Sequence, residues 1–216
     1  MRPDFLRVFL LSSACMLSAC PSPAKPSPEP GPAPEAEVAS SSRNNLRFKN
    51  PEQLTAHFSA ALSLPAEQLC NELGQYPCTT SVHSVALAGV EPYGIGLYEP
   101  VLVTGVTTPI VIDRLALAAC ARRVSLDLTT PSEAVVFGGI ELDGQGRLAN
   151  RDGAPVRDAI TALYQRALLR DPTEAEVGTL SRLSTQIEST GSQTPGRDWM
   201  NAACFAVLSS AESIFF

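Results

Sequence analysis

Six cysteines and two histidines are the residues of this 216-residue chain with the most chemistry to offer. Covalent haem attachment needs Cys-x-x-Cys-His. The run Cys78-Thr79-Thr80-Ser81-Val82-His83 supplies one cysteine and a histidine at the wrong spacing. A zinc site wants four Cys or His ligands in tight pairs, and Cys70, Cys78 and His83 make at most three. A Ser-His-Asp triad would have to use His57 or His83, and no Gly-x-Ser-x-Gly elbow is present. Gly94-Ile95-Gly96 and Gly144-Gln145-Gly146 lack the third glycine of a dinucleotide loop. Asp143-Gly144-Gln145-Gly146-Arg147 has the glycines of a calcium loop, but Arg147 puts a cation where a ligand belongs, so it reads as a turn. Glu174 and Glu176 fall where helix-start charges suit the dipole. No catalytic, cofactor-binding or metal-binding residue is assigned by these patterns.

The remaining reactive candidate is Cys20. Arg2 and Arg7 precede an apolar run that begins at Val8-Phe9-Leu10-Leu11 and reaches Ala19 through small residues, the order of an export signal. At about 12 residues the run is short of the ~20 needed to span a bilayer, and nothing later is long and apolar enough. Leu17-Ser18-Ala19-Cys20 resembles the lipobox of bacterial lipoproteins. The resemblance implies cleavage before Cys20, a diacylglycerol on its thiol and an acyl chain such as palmitate on the new amine. One chain holds a protein marginally and two or three hold it durably. Pro21 stands where an Asp would mark inner-membrane retention, so the resemblance points to the outer membrane of the cell envelope. The alternative is an accidental cysteine at an ordinary cleavage site.

With Cys15 in the signal and Cys20 as the anchor, Cys70, Cys78, Cys120 and Cys204 remain. An even number in an exported chain reads as two disulfides, with three pairings available. Cys70 and Cys78 are near in sequence, with Gly74 and Pro77 between them to turn the chain. Cys120 and Cys204 each fall on the apolar face of a predicted helix. Cys70–Cys78 and Cys120–Cys204 are therefore the expected pairs, buried free thiols being the alternative.

These residues must be positioned by what surrounds them. Residues 21–34 hold seven prolines in fourteen positions, which forbids helix and sheet and favours an extended spacer. The expected layout is a signal at 1–19, a lipid-anchored, disordered proline-rich linker at 20–43, and a folded domain at 44–216. Asn50-Pro51-Glu52-Gln53 opens a helix with Leu54, Phe58, Ala61 and Leu62 inward and His57 at the boundary. A short helix is expected over Pro65–Leu73, with Ala66, Leu69, Cys70 and Leu73 on its apolar face, stopped by Gly74. Cys78 to Pro100 is irregular, rich in Gly and Tyr, and Val101-Leu102-Val103 reads as a short strand. Thr108 as cap and Pro109 open a helix ending by Thr130, with Arg122 and Arg123 in its last turn. Val135–Phe137 and Ile140–Leu142 look extended, and Asp143–Gly146 turns them back through Arg147-Leu148. Helices follow from Ala154-Pro155, with Arg166 and Arg170 toward the end, and from the capping box Thr173–Glu176. After a loop at Gly191–Gly196, a final helix starts near Trp199 and buries Met200, Ala203, Cys204, Val207, Leu208 and Ala211. The apolar Ile214-Phe215-Phe216 should be packed.

Tyr164-Gln165-Arg166-Ala167-Leu168-Leu169-Arg170-Asp171-Pro172-Thr173, then Glu176, Trp199 and Ala206 to Phe215, resemble a helical module of planctomycete and myxobacterial exported proteins. That module joins Tyr-Arg-Leu helices through an Arg-x-Pro-Thr-x-x-Glu turn. The likeness covers residues 155–216, departs at Ala211 where the family often has Pro, and lacks the haem domain that often accompanies it. It implies an exported helical protein and carries over no catalytic residue; a myxobacterial lineage would allow a role in surface contact or gliding motility.

With 16 basic and 22 acidic residues, the chain has no basic footprint for nucleic acid. The fold expected is mainly α, one helical domain with a small β-hairpin or extended insert. The function expected is that of a non-enzymatic envelope lipoprotein, held to the membrane by its N-terminal lipid, that binds or scaffolds an envelope protein partner. The alternative is a cell-wall or polymer-active hydrolase, or its accessory subunit, using the 78–100 loop and His83.

Overall fold

Reciprocal capping starts the folded part. The Asn50 side chain accepts the Gln53 N–H at 2.8 Å, and the Gln53 side chain accepts the Asn50 N–H at 3.0 Å. Pro51 then occupies the first helical position of α1 (Pro51–Leu62), where its missing donor costs nothing. The computed structural model describes residues 47–90 and 105–216. The export segment, Cys20, the proline-rich stretch and the strand expected at 101–103 lie outside them.

The architecture is mainly α. After α1 come α2 (Thr108–Thr129), α3 (Ala154–Leu168), α4 (Glu174–Ser189), α5 (Pro195–Leu208) and the single turn α6 (Ala211–Ile214). Among the described residues the only sheet is a two-stranded hairpin, β1 (Asn71–Glu72) and β2 (Tyr76–Pro77). The core is one cluster centred on Trp199, Phe58, Leu115, Ile160 and Met200, all essentially inaccessible. Both disulfides have the expected partners. Cys70 bonds Cys78, and Cys120 of α2 bonds Cys204 of α5 across 84 residues. No helix of the described residues is long and apolar enough to cross a membrane.

Several local expectations are corrected. The helix expected at Pro65–Leu73 is only a 3-10 turn, Ala66–Gln68, before the chain enters β1. The Cys70–Cys78 bond and the Cys78 N–H donated to the Cys70 carbonyl at 3.1 Å close this segment into a loop too tight for a helix. Leu73, expected inward, sits at the hairpin tip and is 88% exposed. After it, Cys78–Val82 forms a π-helical turn and Val85–Leu87 a 3-10 turn, so the start of the 78–100 loop is more regular than its composition suggested.

In α2 the cap is Thr107. Thr108 lies in the first turn, where its hydroxyl donates to the Ala86 carbonyl. The helix continues six residues past Arg123, so Arg122 and Arg123 do not meet its C-terminal dipole. Arg123 is buried instead and pairs with Asp127, four residues on, at 2.7 Å. The Asp127 carboxylate also accepts the N–H groups of Val135, Val136 and Phe137, each at 3.0 Å. Those three donors explain why 135–137 is not a strand: a side chain, not a neighbouring strand, satisfies its backbone. The second hairpin reduces to one bridge, Leu142 with Leu148.

The last helix is two. α5 starts at Pro195, earlier than expected, and stops at Leu208; Ser210 then caps α6, which leaves Ala211 exposed. Gly196 has no room for a side chain, because a Cβ would lie 2.4 Å from Leu142 Cδ2 and 2.8 Å from the Gly146 carbonyl. Of the final residues, Ile214 is buried and Phe215 half-buried as expected, but Phe216 is 58% exposed. Phe48 bridges Phe215 in antiparallel fashion, with the two rings edge to face at 5.9 Å.

Candidate functional site

The hairpin is the first place to look, because it holds a histidine, a carboxylate and a guanidinium together. Strand pairing sets Asn71 opposite Pro77 and Glu72 opposite Tyr76. The chain reverses through Leu73 (φ +52°) and Gly74 (φ +72°). Glu72 is thereby turned toward α2 and the turn after Cys78. One of its oxygens lies 3.2 Å from His83 Nε2, and the other accepts from Arg114 Nη2 at 2.7 Å. A carboxylate shared in this way orients an imidazole. The group completes no nucleophilic triad, since the nearby cysteines are oxidised to each other and no hydroxyl bonds His83 among the described residues. What the hairpin does present is apolar surface: Leu73 at its tip and Tyr76, half exposed, on β2.

His57, read from sequence as a boundary residue, is half-buried and lies 3.1 Å from the Ser213 hydroxyl. Burial, aided by the charge of Lys49, lowers its pKa to about 4, so the ring is neutral at physiological pH. Ser213 has no exposed surface, and its carbonyl accepts from Lys49 Nζ at 2.6 Å. A serine closed off from solvent cannot meet a substrate, so this Ser–His contact closes the fold rather than forming a nucleophile. The two residues are 156 positions apart, and no local signal could have paired them.

The residues quoted for the helical-module resemblance converge on structural ties. Arg166 of α3 donates to the carbonyls of Ala61 and Ala60 and to the Ser63 hydroxyl, so it caps the end of α1 from a different helix. Arg170 uses all five of its N–H donors. Nε and Nη2 bind Glu212, Nη2 and Nη1 bind Glu176, and Nη1 also reaches the Asp171 carbonyl, all within 3.0 Å. Its guanidinium lies over the Tyr164 ring at 5.1 Å. Hydrogen bonds from Arg170 and then from the Thr173 N–H lower the Glu176 pKa to about 2; Arg170 lowers that of Glu212 as well. Glu176 also completes the capping box of α4 with Thr173. Trp199 donates its indole N–H to the Leu180 carbonyl at 2.8 Å, binding α5 to α4. Arg166, Arg170, Glu176, Glu212 and Trp199 are thus each engaged by another part of the fold.

Asp143 accepts from the Gln145 and Arg147 backbones and from the Arg147 guanidinium, so the turn holds its own cation. Among the described residues no three His, Cys, Asp or Glu side chains converge as a metal site. Cys20, the candidate for lipidation, lies outside the described residues. Comparison with protein-family models, with curated proteins and with solved structures returns no match.

Proposed function

We propose that this chain is a lipid-anchored protein of the bacterial envelope, sorted to the outer membrane, whose domain binds or scaffolds another envelope protein without catalysing a reaction. The observation that carries the binding role is Leu73. A leucine in the left-handed region costs roughly 1–2 kcal/mol, and this one places its side chain almost wholly in water. A disulfide and a shared carboxylate hold the backbone that presents it. Strain maintained around an exposed apolar tip fits a contact residue better than a core residue. The lipobox-like Leu17-Ser18-Ala19-Cys20 and the proline-rich spacer support the anchorage.

Two measurements separate the parts of this reading. The mass of the first proteolytic fragment of the native protein tests the anchor: lipid on Cys20 is expected, and an unmodified mass or one that still contains Met1 refutes it. Crosslinking in native membranes tests the partner. Leu73→Asn, which suits a left-handed φ, should raise stability by about 0.5–1 kcal/mol and at the same time abolish the crosslinked product. Unchanged crosslinking removes Leu73 from the interface. Polymer hydrolysis is the second reading, favoured by the Glu72–His83 contact; full complementation by His83→Ala would exclude a catalytic role for that residue.

A further inference from the structure

A cleft of about 460 Å³ opens between the N-terminal end of α3, with the loop before it, and one face of α4. That volume is in the range of small-ligand sites. α4 contributes Glu174, Val177, Gly178, Ser181, Arg182 and Thr185, a spacing that puts all six on one side of the helix. The opposite wall supplies Arg151, Asp152 and Arg157. Three arginines face two carboxylates, so the lining is net positive on a chain whose formal charge is −6.

The three cations are not equally engaged. Arg151 is anchored by Glu188 at 3.0 Å and by the Thr185 hydroxyl at 3.2 Å. Arg157 holds Glu174 in a two-pronged contact at 3.1 and 3.4 Å, but Glu174 is 83% exposed and leaves at little cost in water. Arg182 donates only to the Thr179 hydroxyl, at 3.2 Å, and pairs with no carboxylate among the described residues. Gly178 keeps the space beside it open, since a Cβ there would lie 3.3 Å from Arg182 Nη1. Serine and threonine hydroxyls complete the wall. Guanidinium forks suit planar or tetrahedral oxyanions, and hydroxyls suit a polyol.

We infer that this cleft binds a sugar bearing an oxyanion, with Arg182 as its first charge contact and Arg157 as a second that is released when Glu174 swings away. The site is independent of the hairpin and of lipid anchorage, and the binding it predicts stands or falls separately from them. Phosphorylated and carboxylated sugars share the required chemistry.

Titration calorimetry on the purified domain-bearing chain, with glucose 6-phosphate, glucuronate and glucose as probes, tests the proposal. Saturable binding of at least one anionic sugar, and not of glucose, is expected; the two anionic arms decide between phosphate and carboxylate. Arg182→Ala should weaken that binding about tenfold or more, the loss of one charged hydrogen-bonding partner. Glu174→Gln, which frees Arg157, should strengthen it, a gain that misfolding cannot produce. Absence of saturable binding by both anions, equal binding of glucose, or an Arg182→Ala protein of unchanged affinity and unchanged melting temperature would overturn the assignment.

Discussion

The helical part built from α3 to α6 and the disulfide-closed hairpin solve the same problem by opposite means. In the first, side chains from distant positions saturate one another: Arg170 with Glu176 and Glu212, Arg166 with the end of α1, and Trp199 with Leu180. In the second, a covalent bond across eight residues holds the backbone while Leu73 and Tyr76 stay in solvent. Where polar groups engage one another, as around Arg170, they give stability and leave little spare chemistry; the α3–α4 cleft with Arg182 is the exception within this part. A region fixed by a covalent bond keeps its side chains free to meet something else.

This contrast can be broken first through the disulfides themselves. In the loop-entropy account, Cys120–Cys204 with its 84-residue separation is worth about 4.5 kcal/mol and Cys70–Cys78 with its separation of 8 about 2.6 kcal/mol. Denaturant unfolding of the two double Cys→Ala variants should therefore show the larger loss for the 120/204 pair. Equal losses would mean that the hairpin carries the fold as much as the helices do. Asp127→Ala should cost about 3–5 kcal/mol, because it leaves Arg123 buried and unpaired and frees three backbone donors. A loss under 1 kcal/mol would show that the 131–137 segment repacks without it.

The next effect is read in acid. The folded Glu176 pKa is near 2, below the ordinary 4.5, so its contribution is complete above pH 4.5 and disappears as pH falls toward 2. Arg170→Ala should lower the melting temperature at pH 7 more than Arg147→Ala does, and should flatten the stability profile between pH 4.5 and 2. The smallest effect sharpens the picture where α1 meets α6. His57 has a folded pKa near 4 against an ordinary 6.5, so the native chain takes up that proton later than the unfolded chain. Stability should fall as pH drops from 6.5 toward 4, and His57→Gln should remove that part of the slope. An unchanged slope would place the titration elsewhere.

The helices were legible because their signals are local. The Asn50–Gln53 and Thr173–Glu176 capping boxes, the prolines at 51, 109 and 155, and the 3.6-residue apolar stripes set the starts of α1 to α4 within a few residues, whereas Pro195, which opens α5, was read as loop. Cys120–Cys204 was legible from the same stripes, and Cys70–Cys78 from the short separation with Gly74 and Pro77 to turn the chain. The hairpin was not, since Ala66, Leu69, Cys70 and Leu73 have helical spacing and only the ring closed by Cys78 overrides it. Arg123 and Arg170 were visible as residues but not as partners. Asp127 reaches backbone donors eight to ten positions away, and Glu212 is 42 positions from Arg170, distances over which sequence pattern says nothing. The arginine cleft was missed for the same reason: its walls come from two helices whose outward faces read separately as ordinary solvated charge.

The strap at residues 47–49 determines how load would enter this molecule. Arg47 and Phe216 exchange two backbone hydrogen bonds, and Lys49 donates a third to Ile214. Asn50, the cap of α1, follows immediately. Traction on the segment before Arg47, directed along the strap, would be shared by those three bonds and passed to α6 before α1 felt it. Under such traction the first helix would be shielded from unravelling by a clasp formed with residues 214–216.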